Sequence, residues 1–437
     1  MEPSPHPGPT ANTQPPADQV RKSIVLAPLP VDAVSPRWIL RHYGRPDMHF
    51  VQARAARLLV NAAETFPAML AAIDAAATRV DLETYTLRDD STGQAFQQAL
   101  IRAASRGVRV RLLYDWIGSF ALSRGFVSQL VEAGVAVAAY HPLLVRRPFW
   151  ALNRRDHRKI LVVDDAAAFT GGINLGDEFN SFSAGGQGWR DTHVCLEGPE
   201  VARAMATLFE YAWRRATPYD AMRTRRTHIQ HVIRRRWATF LHRKERPEAA
   251  SRAVEGVPVS LVGNEVWRHR RRIHLAHLKA IGRARRYVMI ENAYFIPSKP
   301  VRRALIKAAR RGLFVGVVVT THSDVPITAY AARWHYDELL AGGVRLFEWP
   351  DTMMHAKTAV VDDTWSIIGS YNFDHRSLFH QLECVAVIAD AGFAVGVREQ
   401  MLADVARCRE VSLEVHRRRP WPRKVLEFFA FLLRHWL

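Results

Sequence analysis

Apolar and polar positions fall into a pattern that occurs twice along this chain. Val80-Asp81-Leu82-Glu83-Thr84-Tyr85 alternates like a strand and leads to a helix-like run ending Ala103-Ala104-Ser105-Arg106-Gly107. The alternating Val108-Arg109-Val110-Arg111-Leu112-Leu113 follows. The succession recurs as Val288-Met289-Ile290-Glu291-Asn292-Ala293-Tyr294, then Ala308-Ala309-Arg310-Arg311-Gly312, then Leu313-Phe314-Val315-Gly316-Val317-Val318. Strand, helix, glycine stop and strand make the βαβ pattern of an α/β domain. A duplicated unit of this kind predicts an α/β protein with two homologous lobes.

The pattern divides the 437 residues into five stretches. Residues 1–47 read as a disordered or extended segment, because the first twenty are Pro-rich and polar and contain no apolar leader. Residues 48–214 form the first lobe and 257–410 the second. Between them, 215–256 is dense in basic residues, including Arg234-Arg235-Arg236 and Arg243-Lys244-Glu245-Arg246. It is either a solvated linker with helical pieces or a surface facing a membrane or polyanion. A further basic cluster, Arg268 to Arg272, opens the first helix of the second lobe. In 411–437, Val425, Phe428, Phe429, Leu432 and Trp436 fall at helical spacing, with Lys424, Glu427 and Arg434 elsewhere. This basic amphipathic helix suits an interfacial anchor; docking on the protein's own core is the alternative.

Composition narrows the partners. Lys and Arg total 61 against 42 Asp and Glu, a formal net charge of +19. Such an excess attracts polyanions, either nucleic acid or an anionic membrane. The hydrophobic share of 48% is enough to build a real core. Cys195, Cys384 and Cys408 are scattered with no CxxC pair, which fits a reducing compartment and supports neither a disulfide framework nor a thiolate metal site. No apolar run reaches the roughly 18 residues that cross a bilayer, so the chain is expected to lie on a membrane rather than span it.

The chemistry sits in two four-point matches. His157, Lys159, Asp164 and Asn174 recur as His355, Lys357, Asp362 and Asn372, each displaced by 198 positions (157 to 355, 159 to 357, 164 to 362, 174 to 372). Ile160 to Val163 and Thr358 to Val361 are short β-branched runs that read as buried strands. Residues two apart on a strand share a face, so each His points with its Lys: one titratable ring and one fixed cation. The small pairs Gly171-Gly172 and Gly369-Ser370 would let a backbone or substrate oxygen approach closely. With the neutral donors Asn174 and Asn372, they form a candidate substrate pocket for a phosphate whose charge grows in the transition state. Parity puts Asp164 and Asp362 on the opposite face, where bonding at the turn into the next strand is expected.

An imidazole needs a partner to fix its tautomer. Asp191 lies 34 residues after His157 and Glu383 lies 28 after His355, each where a returning strand could set a carboxylate against the ring. Structural salt-bridging is the alternative. Glu83 and Glu291, just ahead of Tyr85 and Tyr294, either border the same cleft or solvate strand ends.

His-x-Lys-x4-Asp followed by a Gly/Ser pair and Asn, complete in both halves, resembles the signature of the phospholipase D superfamily. The resemblance covers about Val51 to Cys408. Longer strings are similar to bacterial cardiolipin synthases: Thr170-Gly171-Gly172-Ile173-Asn174, Trp189-Arg190-Asp191-Thr192-His193 with Glu197-Gly198-Pro199, and Gly369 through Ser377. Those synthases often carry Asn where this chain has Gln381. Many begin with two transmembrane helices, and their absence here resembles a shorter, peripheral subgroup.

The resemblance implies two phospholipase-D-type lobes, each a mixed β-sheet flanked by helices and related by a pseudo-twofold around one active site. It implies that His157, Lys159, Asp164, His355, Lys357 and Asp362 form the catalytic set. His157 would be the nucleophile that becomes phosphohistidine, and His355 the acid and then base. No cofactor and no metal is expected, since the lysines and asparagines hold the phosphoryl oxygens. The implied function is a phosphatidyltransferase making cardiolipin from phosphatidylglycerol and a second phospholipid or alcohol. It would work at an anionic phospholipid membrane, peripheral to the cytoplasmic face of the bacterial inner membrane, with nucleic acid disfavoured as partner. The alternatives are a phospholipase D or a phosphodiesterase or nuclease of the same superfamily; a non-catalytic binding module would have lost one of its motifs.

Overall fold

The computed structural model describes residues 35–142, 153–220, 256–264 and 269–435. The first 34 residues, most of the basic linker (221–255), Arg268 and Trp436 lie outside the described residues. Along the first half run β1 (Val51–Ala53), β2 (Ala55–Val60), β3 (Arg79–Thr84), β4 (Arg109–Asp115), β5 (Ala136–Tyr140), β6 (Ile160–Val163), β7 (Ala167–Gly171), β8 (Thr192–Glu197) and β9 (Thr217–Pro218). The second half supplies β10 (Val257–Asn264), β11 (Tyr287–Asn292), β12 (Phe314–Thr320), β13 (Arg345–Trp349), β14 (Lys357–Val361), β15 (Trp365–Gly369), β16 (Glu383–Ile388) and β17 (Arg409–Glu410).

One sheet runs β2-β8-β7-β6-β3-β4-β5-β9 and the other β1-β10-β16-β15-β14-β11-β12-β13-β17. Without β1 the two orders coincide strand for strand. In each, one trio is parallel (β3-β4-β5, β11-β12-β13) and the remaining pairs are antiparallel. Two mixed sheets flanked by helices are what the family resemblance implies, built on the α/β pattern that the sequence repeats.

The helix-like runs are the crossovers between parallel strands. Ser91–Ser105 starts where the Asp90 carboxylate accepts from the Gly93 N–H at 2.9 Å. It stops at Gly107, whose φ of 85° suits a residue without Cβ. Its counterpart Lys299–Arg310 stops at Gly312 with φ 88°. These helices cover one face of each sheet. The other faces meet each other: Val194 and Leu196 of β8 share an apolar cluster with Ile368 of β15 and Ala386 of β16. Ile160 and Val162 of β6 share another with Leu382 and Cys384. Each fully buried aliphatic side chain contributes on the order of 1.5–3 kcal/mol, so these two clusters hold the lobes together.

Three boundaries differ from the sequence reading. The stretch expected to be disordered or extended to residue 47 is helical over Pro36–Tyr43, started by Ser35, and docks on the second lobe through Tyr43 and Trp365. Strand β1 pairs with β10, so the chain passes through the second lobe's sheet before β2 begins the first. Strand β9, inside the expected linker, pairs with β5 and completes the first sheet. Strands of two or three residues carry too little periodicity to be seen in sequence.

The C-terminal stretch folds as Leu413–Arg417 and Trp421–Leu432. One face of the second helix is docked: Phe428 and Phe431 pack on Trp334, and buried Glu427 pairs with Arg419 at 2.8 Å. The other face leaves Trp421, Val425, Phe429 and Leu432 exposed. No helix among the described residues is long and apolar enough to cross a membrane.

Candidate active site

Each His-x-Lys segment lies at the start of a central strand and is stitched to the opposite lobe. The His157 N–H donates to the Leu382 carbonyl at 3.0 Å, and the Leu382 N–H to Arg155 at 2.9 Å. Symmetrically, the His355 N–H donates to Arg190 at 2.7 Å, and the Arg190 N–H to Met353 at 2.9 Å. Leu382 and Arg190 immediately precede the two candidate orienting carboxylates. Each carboxylate is thereby delivered to the other lobe's histidine.

His157 Nδ1 lies 3.1 and 3.2 Å from the two oxygens of Glu383. His355 Nδ1 lies 2.6 Å from Asp191 Oδ2. The spacing along the chain points each ring to a carboxylate of its own half; the structure corrects that pairing, because the returning strands β8 and β16 meet across the lobe interface. With Nδ1 engaged, Nε2 of each ring makes no hydrogen bond among the described residues.

The four HxK side chains share one electrostatic environment. Burial drives His157 well below its ordinary value, and the charges of Lys159, Lys357 and His355 add to the effect. Burial also lowers Lys159 to about 7 and Lys357 to about 8, with the second lysine pushing Lys159 further down. Lys159 Nζ donates to the His157 carbonyl at 2.6 Å, and Lys357 Nζ donates to that of His355.

The carboxylates differ. Burial pushes Glu383 up to about 8, against the pull of Lys159 and of hydrogen bonds from Ser370 and Ser377. Burial also works to raise Asp191, but His355, Lys357 and the Thr192 N–H outweigh it and hold this carboxyl below its ordinary value. Asp191 is an ionised partner; Glu383 is a reluctant one.

Of the small residues expected to admit a substrate oxygen, Gly172 and Ser370 stand against the two carboxylates, and Gly171 and Gly369 against the backbone of the neighbouring strand. A Cβ on Gly172 would stand 2.2 Å from Asp191 Oδ1, and one on Gly171 2.5 Å from the Thr192 carbonyl. A Cβ on Gly369 would stand 2.2 Å from the Cys384 carbonyl, and Ser370 Oγ donates to Glu383. Ser377, not singled out from sequence, donates to the same carboxylate at 2.8 Å. Asn174 accepts from the Thr86 N–H at 3.2 Å, and the buried Oδ1 of Asn372 has no partner among the described residues.

Asp164 and Asp362 leave the catalytic set. Asp164 accepts from the N–H groups of Ala77, Thr78 and Arg79 at 2.8–3.0 Å. Asp362 accepts from those of Arg285, Arg286 and Tyr287 at 2.7–2.9 Å, and from the Tyr43 hydroxyl. Both sit at the far end of the motif strand with φ near 50° (52° and 54°), tying its turn to the neighbouring strand. Glu83 and Glu291 do not solvate strand ends. Each is buried and pushed well above the carboxylate range by that burial, with Asp156 and Arg158 beside Glu83, and Asp404 and Arg190 beside Glu291. Arg190 reaches across the interface to clamp Asp404 at 2.6 Å.

Aromatic side chains wall the site. Tyr85 stands edge-on to His157 with centroids 4.9 Å apart; Phe179 and Trp189 pack on His355 at 5.5 and 5.7 Å. Such walls exclude water and strengthen the charges inside. Among the described residues no group of three or more His, Cys, Asp or Glu is placed to hold a metal ion.

A family profile described as "Cardiolipin synthase, PLD-like domain" matches residues 69–213 and 277–405. The chain belongs to the phospholipase-D-like cardiolipin synthase family. It is 36% identical over 388 residues to cardiolipin synthase B of Salmonella typhi, covering 87% of each chain. It is 34% identical over 385 residues to cardiolipin synthase B of Escherichia coli strain K12, again covering 87% of each. Among solved structures it resembles the phosphatidylserine synthase of Haemophilus influenzae Rd KW20, with TM-score 0.70 and 16% identity, covering 92% of this chain and 100% of that one. That likeness is one of fold. The family resemblance drawn from the two motifs is borne out.

Proposed function

We propose that the chain is a phosphatidyltransferase that makes cardiolipin from phosphatidylglycerol and a second phospholipid or alcohol, through a covalent phosphohistidine. The observation that carries this reading is the pair of imidazoles, each held at Nδ1 by a carboxylate from the opposite lobe, whose charges act on one another within one buried site.

In the first step Nε2 of His157 attacks the phosphorus and forms an N–P bond. The P–O bond to the glycerol headgroup breaks, and His355 gives that oxygen its proton. In the second step neutral His355 takes the proton of an incoming hydroxyl, whose oxygen bonds to phosphorus as the N–P bond breaks. Both enzyme groups return to their starting states. The assignment of roles rests on the unequal carboxylates. Burial holds both rings below the ordinary imidazole value, His157 well below it; at His355 ionised Asp191 works against that burial and favours the imidazolium, the form that donates, while neutral His157 is the form that attacks. Lys159 and Lys357 face the developing charge on the phosphoryl oxygens, and an anionic substrate favours their protonated forms.

The exposed stripe of Trp421, Val425, Phe429 and Leu432, with Arg423 and Lys424 on the same helix, supports peripheral binding to an anionic bilayer. Three buried free cysteines support the cytoplasmic face, a reducing environment. Incubation with phosphatidylglycerol vesicles, followed by mass analysis of the lipids, is expected to yield cardiolipin and glycerol. Phosphatidic acid as the only product would make the enzyme a hydrolase, and plasmid degradation without lipid conversion would make it a nuclease.

A further inference from the structure

Beside the catalytic cleft the second lobe holds a cavity of about 480 Å³ that neither motif histidine lines. Its size falls within the roughly 300–1,000 Å³ of small-molecule sites. Its wall is apolar, formed by Leu275, Leu278, Ile296, Leu378 and Phe431. Its rim is basic: Arg271, Lys299 and Arg434. Arg302 also lines it but is committed to Glu338 at 2.6 Å, whereas Arg271 and Lys299 are exposed and form no ion pair among the described residues. The helix Lys299–Arg310 begins at the rim with no side-chain cap on its first N–H groups, an end that favours anions.

Two contacts fix where this cavity stands. On one side Phe431 and Arg434 belong to the C-terminal helical segment whose opposite face is exposed and apolar. On the other, Asp374 is part of the wall, and its charge acts on Lys357 of the catalytic site. Asp374 also caps the helix His375–Phe379 through the Ser377 N–H at 2.7 Å, and Ser377 holds Glu383, the partner of His157. The cavity therefore lies between the bilayer-facing helix and the reacting groups.

We propose that this cavity holds the acceptor phospholipid, the second lipid of the reaction. The inference rests on the phosphatidyltransferase reading and deepens it. The donor's phosphodiester must lie between His157 and His355, where Lys159 and Lys357 serve its oxygens. A second phospholipid brings a second anionic phosphate, and the basic rim supplies the separate cluster it needs. The apolar wall takes the upper part of an acyl chain whose end remains in the bilayer. The headgroup hydroxyl then extends past Asp374 toward His355.

The test uses the full-length enzyme with dihexanoyl phosphatidylglycerol in mixed micelles, and measures cardiolipin and phosphatidic acid together. Phosphatidic acid reports water intercepting the phosphohistidine, so it counts donor use without an acceptor lipid. In Arg271→Glu/Lys299→Glu, on the exposed rim, the ratio of cardiolipin to phosphatidic acid is expected to fall by roughly tenfold or more while donor consumption persists. Leu278→Trp, which fills the cavity, is expected to act in the same direction; if it fails to fold, the rim variant decides alone. An unchanged ratio overturns the proposal. So does a parallel fall of both products, which would place the donor in the cavity. Wild-type enzyme that makes no cardiolipin contradicts the phosphatidyltransferase reading itself.

Discussion

The imidazole of His157 is held by Glu383, a residue 226 positions further along the chain and part of the other lobe. The reverse holds for His355 and Asp191, 164 positions apart. Neither lobe can orient its own histidine. The site exists only once the inner faces of the two sheets have packed, which couples the catalytic geometry directly to apolar burial between lobes.

The two carboxylates should not be equivalent on mutation. Asp191→Asn removes the charge that stabilises the His355 imidazolium, and turnover is expected to fall by roughly 10²–10⁴. Glu383→Gln replaces a carboxyl already pushed up to about 8 and is expected to cost considerably less at pH 7. Steady-state rates of the two variants check this. Equal losses would refute the asymmetry.

Lys159 trades stability for function. Its folded value of about 7 lies below the ordinary 10.5, so the folded protein binds fewer protons than the unfolded chain between those limits. Stability at this site is therefore lowest below pH 7 and recovers as pH rises toward 10.5. Lys159→Met is expected to be inactive yet more stable at pH 6, by up to roughly 5 kcal/mol, with the gain shrinking at alkaline pH. Urea unfolding at pH 6 and pH 9.5 measures it; a gain independent of pH would point to packing instead.

Gly172 is fixed by the space Asp191 occupies. Gly172→Ala must displace that carboxylate, so activity is expected to fall by roughly 10²-fold with a smaller effect on folding. Gly282→Ala, in a helix with nothing within 4 Å of the new Cβ, is the matched control and should be neutral or stabilising. Should both variants retain full turnover, close approach at Gly172 is not what the site requires.

The C-terminal helix is both docked and exposed, so its truncation would uncover Trp334 and confound folding with binding. Point changes separate them. Phe429→Asp with Leu432→Asp, on the exposed face, is expected to leave thermal unfolding within about 1 kcal/mol of wild type and to abolish flotation with anionic vesicles. Unchanged flotation would rule out this face as the anchor.

Much of this was legible in the sequence because it is local. The βαβ repeat follows from periodicities of two and 3.6, and the sharing of a face by His157 and Lys159 follows from strand parity. Parity also put Asp164 and Asp362 behind the strand, where they tie down turns, even though the motif counts them with the catalytic residues. What stayed hidden depends on packing between lobes. Identical intervals in the two halves cannot distinguish a carboxylate returning to its own histidine from one crossing to the other. The same limit hid the service of Gly172 and Ser370 to carboxylates, and the burial of Glu83 and Glu291 beside arginines. It also concealed the assignment of β1 to the second sheet.

The most direct test of the account is to quench the enzyme during turnover of phosphatidylglycerol and map the phosphatidyl group by peptide mass analysis under alkaline conditions. The account predicts modification of the peptide containing His157 in the wild-type enzyme, and little in His355→Asn, which lacks the proton donor for the leaving glycerol. Modification of the His355 peptide instead, or none on either histidine during active turnover, would contradict it.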